Sequence, residues 1–341
     1  MSPGSFVPQV PSLAAIHAAR ARIAGRAVRT PLLRLPRREG EPEIWLKLEN
    51  LQPIGSFKIR GAASALGLLS REELARGVYT ASAGNMAQGV AWCAREAGVP
   101  CAVVVPDSAP RAKLEAVERL GARIVPVPFE AWWRVMVERR YEGLEGHFVH
   151  PVSDDAVLAG NATIGLEILE DLPEPAAVLV PYGGGGLSCG IASALRASGS
   201  RAPVFACEVE TAAPLAASLA AGAPGTIEHR ASFVDGIGGR GVLAEMWPLV
   251  QALLAGSCVV SLEEVAAAIR TLVARARTVA EGAGAAPLAA ALARRAAIGP
   301  GGASVAWPAW PAWPEGPVVC VVSGGNLDPA KLAAVLEGRI P

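Results

Sequence analysis

The chain has 341 residues, about half of them apolar, and 31 Lys+Arg balance 31 Asp+Glu to a formal net charge of zero. A chain of this length buries a large core and is expected to form two lobes. Without a basic stripe or an acidic tail, nucleic acid and membrane surfaces are not expected partners, and neither a targeting segment nor an apolar run of about 18 residues is present.

The first distinctive stretch is "LENLQPIGSFKIRGA" (48–62), where Lys58 follows Gly55-Ser56-Phe57 and precedes a helical pattern. A surface lysine needs no such frame. Short apolar runs then alternate with helical patterns along the chain. "GVYTAS" leads to "GNMAQGVAWCAREAG", "PCAVVVP" to "PRAKLEAVERLG", and "ARIVPVP" to "FEAWWRVMVERRYEG". Further on, "AAVLVPYGGGG" leads to "LSCGIASALRASG", "APVFACEVE" to an Ala-rich helix, and "PVVCVVSGGN" to "DPAKLAAVLEG". Strands that are apolar throughout are buried on both faces, and this alternation predicts an α/β fold of parallel sheets wrapped by helices. The units exceed what one sheet comfortably holds. Two lobes are therefore expected, each an open, mostly parallel twisted sheet. Residues 79–151 would form the small mobile lobe, and 1–78 with 152–341 the large one, with a ligand cleft between them. The Gly-, Pro- and Trp-rich stretch 299–317 reads as a long loop without a chemical role.

Three strand-to-helix turns carry candidate chemistry. In "PYGGGGLSCGIASAL" the consecutive glycines Gly183, Gly184, Gly185 and Gly186 put bare backbone at a helix start, where convergent N–H groups and the dipole favour a phosphate. The pattern is neither GxGxxG nor a loop ending in GK[ST], so it supports neither a dinucleotide nor a nucleoside triphosphate. In "ASAGNMAQG" (81–89), Ser82, Gly84 and Asn85 can offer donors to a carboxylate. "VVSGGNLDP" (321–329) carries Ser323 at its tip. A lysine amine, a phosphate cradle, a carboxylate cradle and a hydroxyl together suit pyridoxal 5'-phosphate, which needs a lysine, a phosphate anchor and a partner for its ring nitrogen.

With "GSFKIRGA", "SAGNMAQG", "GGGGL" and "SGGN" in this order, joined by "HPVSDDAVLAGNATIGLEIL" and "EGAGAAPLAA", the chain resembles the fold type II pyridoxal-phosphate enzymes. Within them it is similar to the threonine/serine dehydratase and serine racemase group, over nearly its whole length. The resemblance implies that Lys58 holds the cofactor and removes the α-proton of the substrate. It also implies that Phe57 flanks the ring, Asn85 bonds its 3-oxygen, Gly183–Gly186 with Leu187 hold the phosphate, and Ser323 meets the ring nitrogen. The substrate carboxylate would dock on Ser82, Ala83, Gly84, Asn85 and Met86. A neutral Ser323 disfavours a long-lived carbanion, so prompt loss of a β-hydroxyl is expected, giving a 2-oxo acid and ammonia.

Ala83 stands where racemases of this group carry a serine, so dehydration of a β-hydroxy amino acid such as L-threonine or L-serine is preferred to racemisation. Met86 stands where the group usually has histidine, which opens the alternative of a bulkier substrate such as 3-phenylserine or 3-hydroxyaspartate. Glu208 and Ala212 match part of a cation site of some relatives, but Pro214 stands where an aspartate would follow. Glu281 is either a residue near the cofactor or substrate amine, or an ordinary helix-start acid. A β-replacement enzyme and a non-catalytic cofactor-binding protein are the rival readings. The six cysteines lack CxxC spacing and read as buried, reduced thiols. A cytoplasmic protein is expected, and by resemblance a homodimer without a C-terminal regulatory domain. His17, His147, His150 and His229 read as structural or surface residues.

Overall fold

The computed structural model describes residues 6–293, 297–302, 304–305 and 316–341. Its strands are β1 Leu32–Arg34, β2 Ile44–Lys47, β3 Val78–Ala81, β4 Cys101–Pro106, β5 Arg123–Val127, β6 His147–Phe148, β7 Ala177–Pro181, β8 Val204–Val209, β9 Gly256–Val260, β10 Ala297–Ile298, β11 Ser304–Val305 and β12 Val318–Val321. They form two sheets, in the orders β1-β2-β12-β7-β8-β9-β10-β11 and β5-β4-β3-β6. The five central strands of the larger sheet, β2-β12-β7-β8-β9, pair in parallel, and antiparallel pairs are confined to its two edges. The four-stranded sheet is parallel throughout. This is the expected mixed α/β architecture of helix-flanked parallel sheets.

The reason lies in the apolar runs. Every residue of β7, β8 and β12 is buried, as strands covered by helices on both faces require. One apolar cluster packs the face that carries Leu46, Leu179, Cys207 and Cys320, and another the face that carries Val178, Val180, Ala206 and Val321. Strands β1, β2, β6, β9, β10 and β11 add to the expected set, and of these β1, β6, β10 and β11, two or three residues each, give little sequence signal. Of the stretch 299–317, residues 303 and 306–315 lie outside the described residues.

Three features position the cleft. Residues 55–57 run antiparallel to 323–325: Ser56 bridges Gly324, Phe57 N–H donates to Ser323 O at 3.0 Å, and Gly325 N–H donates to Gly55 O at 2.8 Å. This joins a segment near the N-terminus to the end of β12. Behind the helix Lys58–Leu66 lies a buried ion network. The Arg60 guanidinium is bidentate to Glu49 at 2.8 Å for both bonds and reaches Glu167 at 2.6 and 2.9 Å, while Lys47 Nζ donates to Glu167 at 2.6 Å. Burial would lower the pKa of Arg60, but Glu49 and Glu167 outweigh it and raise the guanidinium above its ordinary value. Two cations face two carboxylates, and bonds to Thr30 and Thr163 complete the set. Finally, segment 222–243 meets the 78–148 region twice. Asp235 pairs with Lys113 at 2.8 Å, and the Arg240 guanidinium lies 5.3 Å from the Phe129 ring centre.

Candidate active site

Lys58 opens its helix immediately after the strapped Gly55–Phe57 turn. Its Nζ donates to the carbonyl oxygen of Pro151 at 2.8 Å and lies 5.1 Å from the centre of the Phe57 ring. Burial lowers the pKa of this amine from 10.5 to about 8. An amine in this range is partly neutral near physiological pH and can accept a proton.

The acceptor, Pro151, sits in a tight His150–Ser153 turn. His150 is buried, and its Nδ1 accepts the N–H of Val152 at 3.1 Å and of Ser153 at 2.8 Å. Burial, reinforced by the Arg139 and Lys58 charges, lowers the pKa of His150 to about 3, so the ring stays neutral and keeps its acceptor. Arg139 donates to the Ser153 carbonyl at 2.6 Å and to its hydroxyl at 2.7 Å, and that hydroxyl donates to Glu245 at 3.1 Å. His150 is a structural residue: it folds the turn that presents Pro151 to the lysine.

The same turn touches the glycine loop. A Cβ on Gly184 would come within 2.7 Å of Val152, and one on Gly186 within 3.0 Å of the Val152 carbonyl. Gly185 takes φ +94°, which side chains rarely adopt. The loop closes onto the helix Gly186–Ala197, whose first-turn N–H groups have no intrahelical acceptor. Among the described residues, no other hydrogen bond takes the amides of Gly183–Leu187. The Tyr182 hydroxyl beside them is buried without a partner. Unclaimed donors around bare backbone at a helix start suit a phosphate, so these residues fit the expected cofactor. Lys58 and the tetraglycine turn meet through Pro151 and Val152.

On the third side, Ser82, Ala83, Gly84 and Asn85 are half-buried at the end of β3. The Gly84 N–H donates to the Ser82 hydroxyl at 3.2 Å, and a Cβ on Gly84 would meet nothing within 4 Å. Asn85 starts its helix and donates from Nδ2 to Glu281 Oε1 at 2.8 Å. Burial pushes the Glu281 carboxyl up to about 7, against the lowering bond from Asn85. The backbones of Gly236 and Gly324 press on this carboxylate: a Cβ on either would come within 3.3 or 2.5 Å of it. Ser323 is buried at the end of β12, and the next residue's carbonyl accepts the Glu281 N–H at 3.0 Å.

Two expectations shift. Met86 is 1% exposed and packs with Ile54, Ile59, Val90 and Val149. Its thioether faces this core cluster, so only its backbone N–H is placed to serve the loop. Glu208 accepts the N–H groups of Leu215 and Ala216, both at 2.8 Å, and the Ser257 hydroxyl at 2.7 Å. Both carboxylate oxygens cap the helix that Pro214 opens, and burial pushes this acid up to about 7. These donors leave a cation at Glu208 and Ala212 only the second lone pair of one carboxylate oxygen. Among the described residues no group of three or more His, Cys, Asp or Glu side chains could hold a metal.

Sequence reasoning missed Asn326, whose Nδ2 donates to Asn85 Oδ1 at 2.8 Å, although "SGGN" contains it, and missed Pro151 and Val152, although "HPVS" contains them. Their contacts come from segments far apart in the chain.

Comparison with known proteins gives a consistent picture. Residues 23–307 match the family described as "Pyridoxal-phosphate dependent enzyme". The L-threonine ammonia-lyase of Geobacter sulfurreducens is 40% identical over 296 residues, covering 86% of this chain and 70% of that one. A catabolic L-threonine dehydratase of Staphylococcus aureus is 37% identical over 334 residues, 96% of this chain and 92% of the relative. Among solved structures, maize serine racemase superposes with a TM-score of 0.84 at 31% identity, covering 97% of this chain and 98% of its own. A second serine racemase, from Dictyostelium discoideum, gives 0.81 at 29% identity, covering 94% of this chain and all of its own.

Proposed function

The chain belongs to the pyridoxal-phosphate-dependent enzyme family, and from that premise we propose that it is an ammonia-lyase that converts a small β-hydroxy amino acid, of the L-threonine or L-serine kind, into a 2-oxo acid and ammonia. One observation carries the reading: an amine whose pKa burial lowers to about 8 is held by a turn that also abuts the tetraglycine helix start.

When bound, the cofactor supplies the electron sink that makes the substrate α-proton acidic. The chain's own residues do the rest. The amides of Gly183–Leu187 would hold the cofactor's phosphate, Ser323 would serve its ring nitrogen, and Phe57 would pack beside its ring. Asn85 would donate to the ring's 3-oxygen. Donors of Ser82–Met86 take the substrate carboxylate. The Pro151 carbonyl keeps Lys58 Nζ oriented, and Lys58 removes the α-proton. Glu281, poised near neutrality, faces Asn85 and stands ready to exchange a proton with the bound amino acid. Ala83 offers no hydroxyl from its position in the loop, so inversion lacks the second acid that the racemase reading requires there.

In this reading residues 79–151 are the smaller unit that closes on the rest. Assembly as a homodimer and a cytoplasmic location complete it, the latter in keeping with six free cysteines. No helix among the described residues is long and apolar enough to cross a membrane. The test is a screen of threonine, serine, 3-hydroxyaspartate and 3-phenylserine, in both stereochemical series, for 2-oxo acid and ammonia. Release from at least one supports the assignment. Inversion at the α-carbon without release would replace it by a racemase, and neither reaction by a non-catalytic binding protein.

A further inference from the structure

Asn85 donates to Glu281, yet an amide can sit either way round, and only one orientation offers a donor to the cleft. The element that decides is Asn326. Its Nδ2 donates one hydrogen to the Ile54 carbonyl at 2.9 Å and the other to Asn85 Oδ1 at 2.8 Å. The carbonyl of Ile54 is an acceptor only, so it fixes which end of the Asn326 amide carries the hydrogens. Asn85 must then turn its oxygen to Asn326 and its NH2 away. One of those hydrogens goes to Glu281 Oε1 at 2.8 Å. The second has no partner among the described residues and is free for the half-buried cleft.

Glycine at position 55 is part of the same arrangement. It takes φ +71°, and a Cβ there would stand 2.5 Å from Asn326 Oδ1. Its carbonyl also accepts the Gly325 N–H at 2.8 Å. The glycine before Ser56-Phe57-Lys58 therefore makes room for Asn326, which ties the lysine motif to the last motif of the chain through a polar side chain as well as through backbone.

We infer that Asn326 is a positioning residue that locks the Asn85 amide with its donor end toward the cofactor ring. The inference rests on the cofactor assignment above and adds to it a residue that touches neither cofactor nor substrate. Its bond to the Ile54 carbonyl also braces the lysine segment, but its effect on the cofactor runs through Asn85, and that separates it from a residue that merely holds the fold.

The experiment measures the dissociation constant of pyridoxal phosphate by equilibrium dialysis in a Lys58→Ala background, where no covalent bond masks the contacts. Asn326→Ala, which removes both donors without adding repulsion, should weaken binding roughly fivefold, the size of one neutral hydrogen bond. Asn326→Asp, which sets an acceptor against Asn85 Oδ1, should weaken it further. In an Asn85→Ala background neither change should alter binding by more than about twofold, because the residue they act through is gone. Equal losses with and without Asn85 would overturn the inference and leave Asn326 a structural residue. Unchanged affinity in Asn326→Ala and Asn326→Asp would overturn it as well. Failure of the Lys58→Ala parent and of the wild type to bind the cofactor would instead sink the underlying functional reading, and this inference with it.

Discussion

Replacing Lys58 by methionine separates what this residue does for chemistry from what it costs the fold. The amine is buried enough to bring its pKa from 10.5 to about 8. At about 1.4 kcal/mol per tenfold change in proton affinity, that is about 3 kcal/mol of preference for the neutral form in the folded chain. The sign follows from proton counts. Between pH 8 and 10.5 the unfolded chain binds the proton and the folded one does not, so stability rises with pH across this window. Below pH 8 both states are charged and the folded state bears the whole cost. Above pH 10.5 both are neutral and the cost vanishes.

Methionine carries no charge and removes this dependence. Loss of the bond to Pro151 and changes in packing are the same at every pH, so they cancel in a comparison of two pH values. The stability difference between Lys58→Met and wild type, from urea unfolding of cofactor-free protein, should therefore favour the variant by up to about 3 kcal/mol more at pH 7 than at pH 10.5. Ammonia release should be abolished. A stability difference independent of pH would refute the claim that the amine is held with a lowered pKa.

Two further outcomes follow from packing. Arg60→Met strips the cation from between Glu49 and Glu167, and unfolding should show a loss of about 3–5 kcal/mol, whereas Glu170→Ala, which removes the partner of the exposed Arg20 and one of the two partners of Arg29, should cost less than about 1 kcal/mol. Met86→Leu conserves volume in a closed apolar cluster, so the ranking of substrates by kcat/KM should stay unchanged and stability should fall by less than about 1.5 kcal/mol; a reordered ranking would return the Met86 side chain to the substrate.

Much of this was legible in the sequence because the relevant physics is local. Runs such as "AAVLVP" and "PVVCVV" are apolar at every position, and only a strand covered on both faces needs that. Four glycines between such a run and a helix leave little but an anion cradle. The short edge strands lack this signal, since two or three residues carry no periodicity. Glu208 and Met86 show a different gap. Their residue types matched or departed from a functional pattern, but the carboxylate was claimed by helix-start amides and the thioether by the core. Both facts depend on where the backbone turns. Asn326 and Pro151 act on residues 241 and 93 positions away in sequence, a pairing that becomes visible only once the strap between 55–57 and 323–325 brings the chain together.

The most direct test is borohydride reduction of the protein with its cofactor, followed by proteolysis and mass mapping of the labelled peptide. A single pyridoxyl-sized mass increase on Lys58, absent from Lys58→Ala, is the expected result. Label on another of the lysines, or none on a protein that still releases ammonia from a hydroxy amino acid, would contradict it.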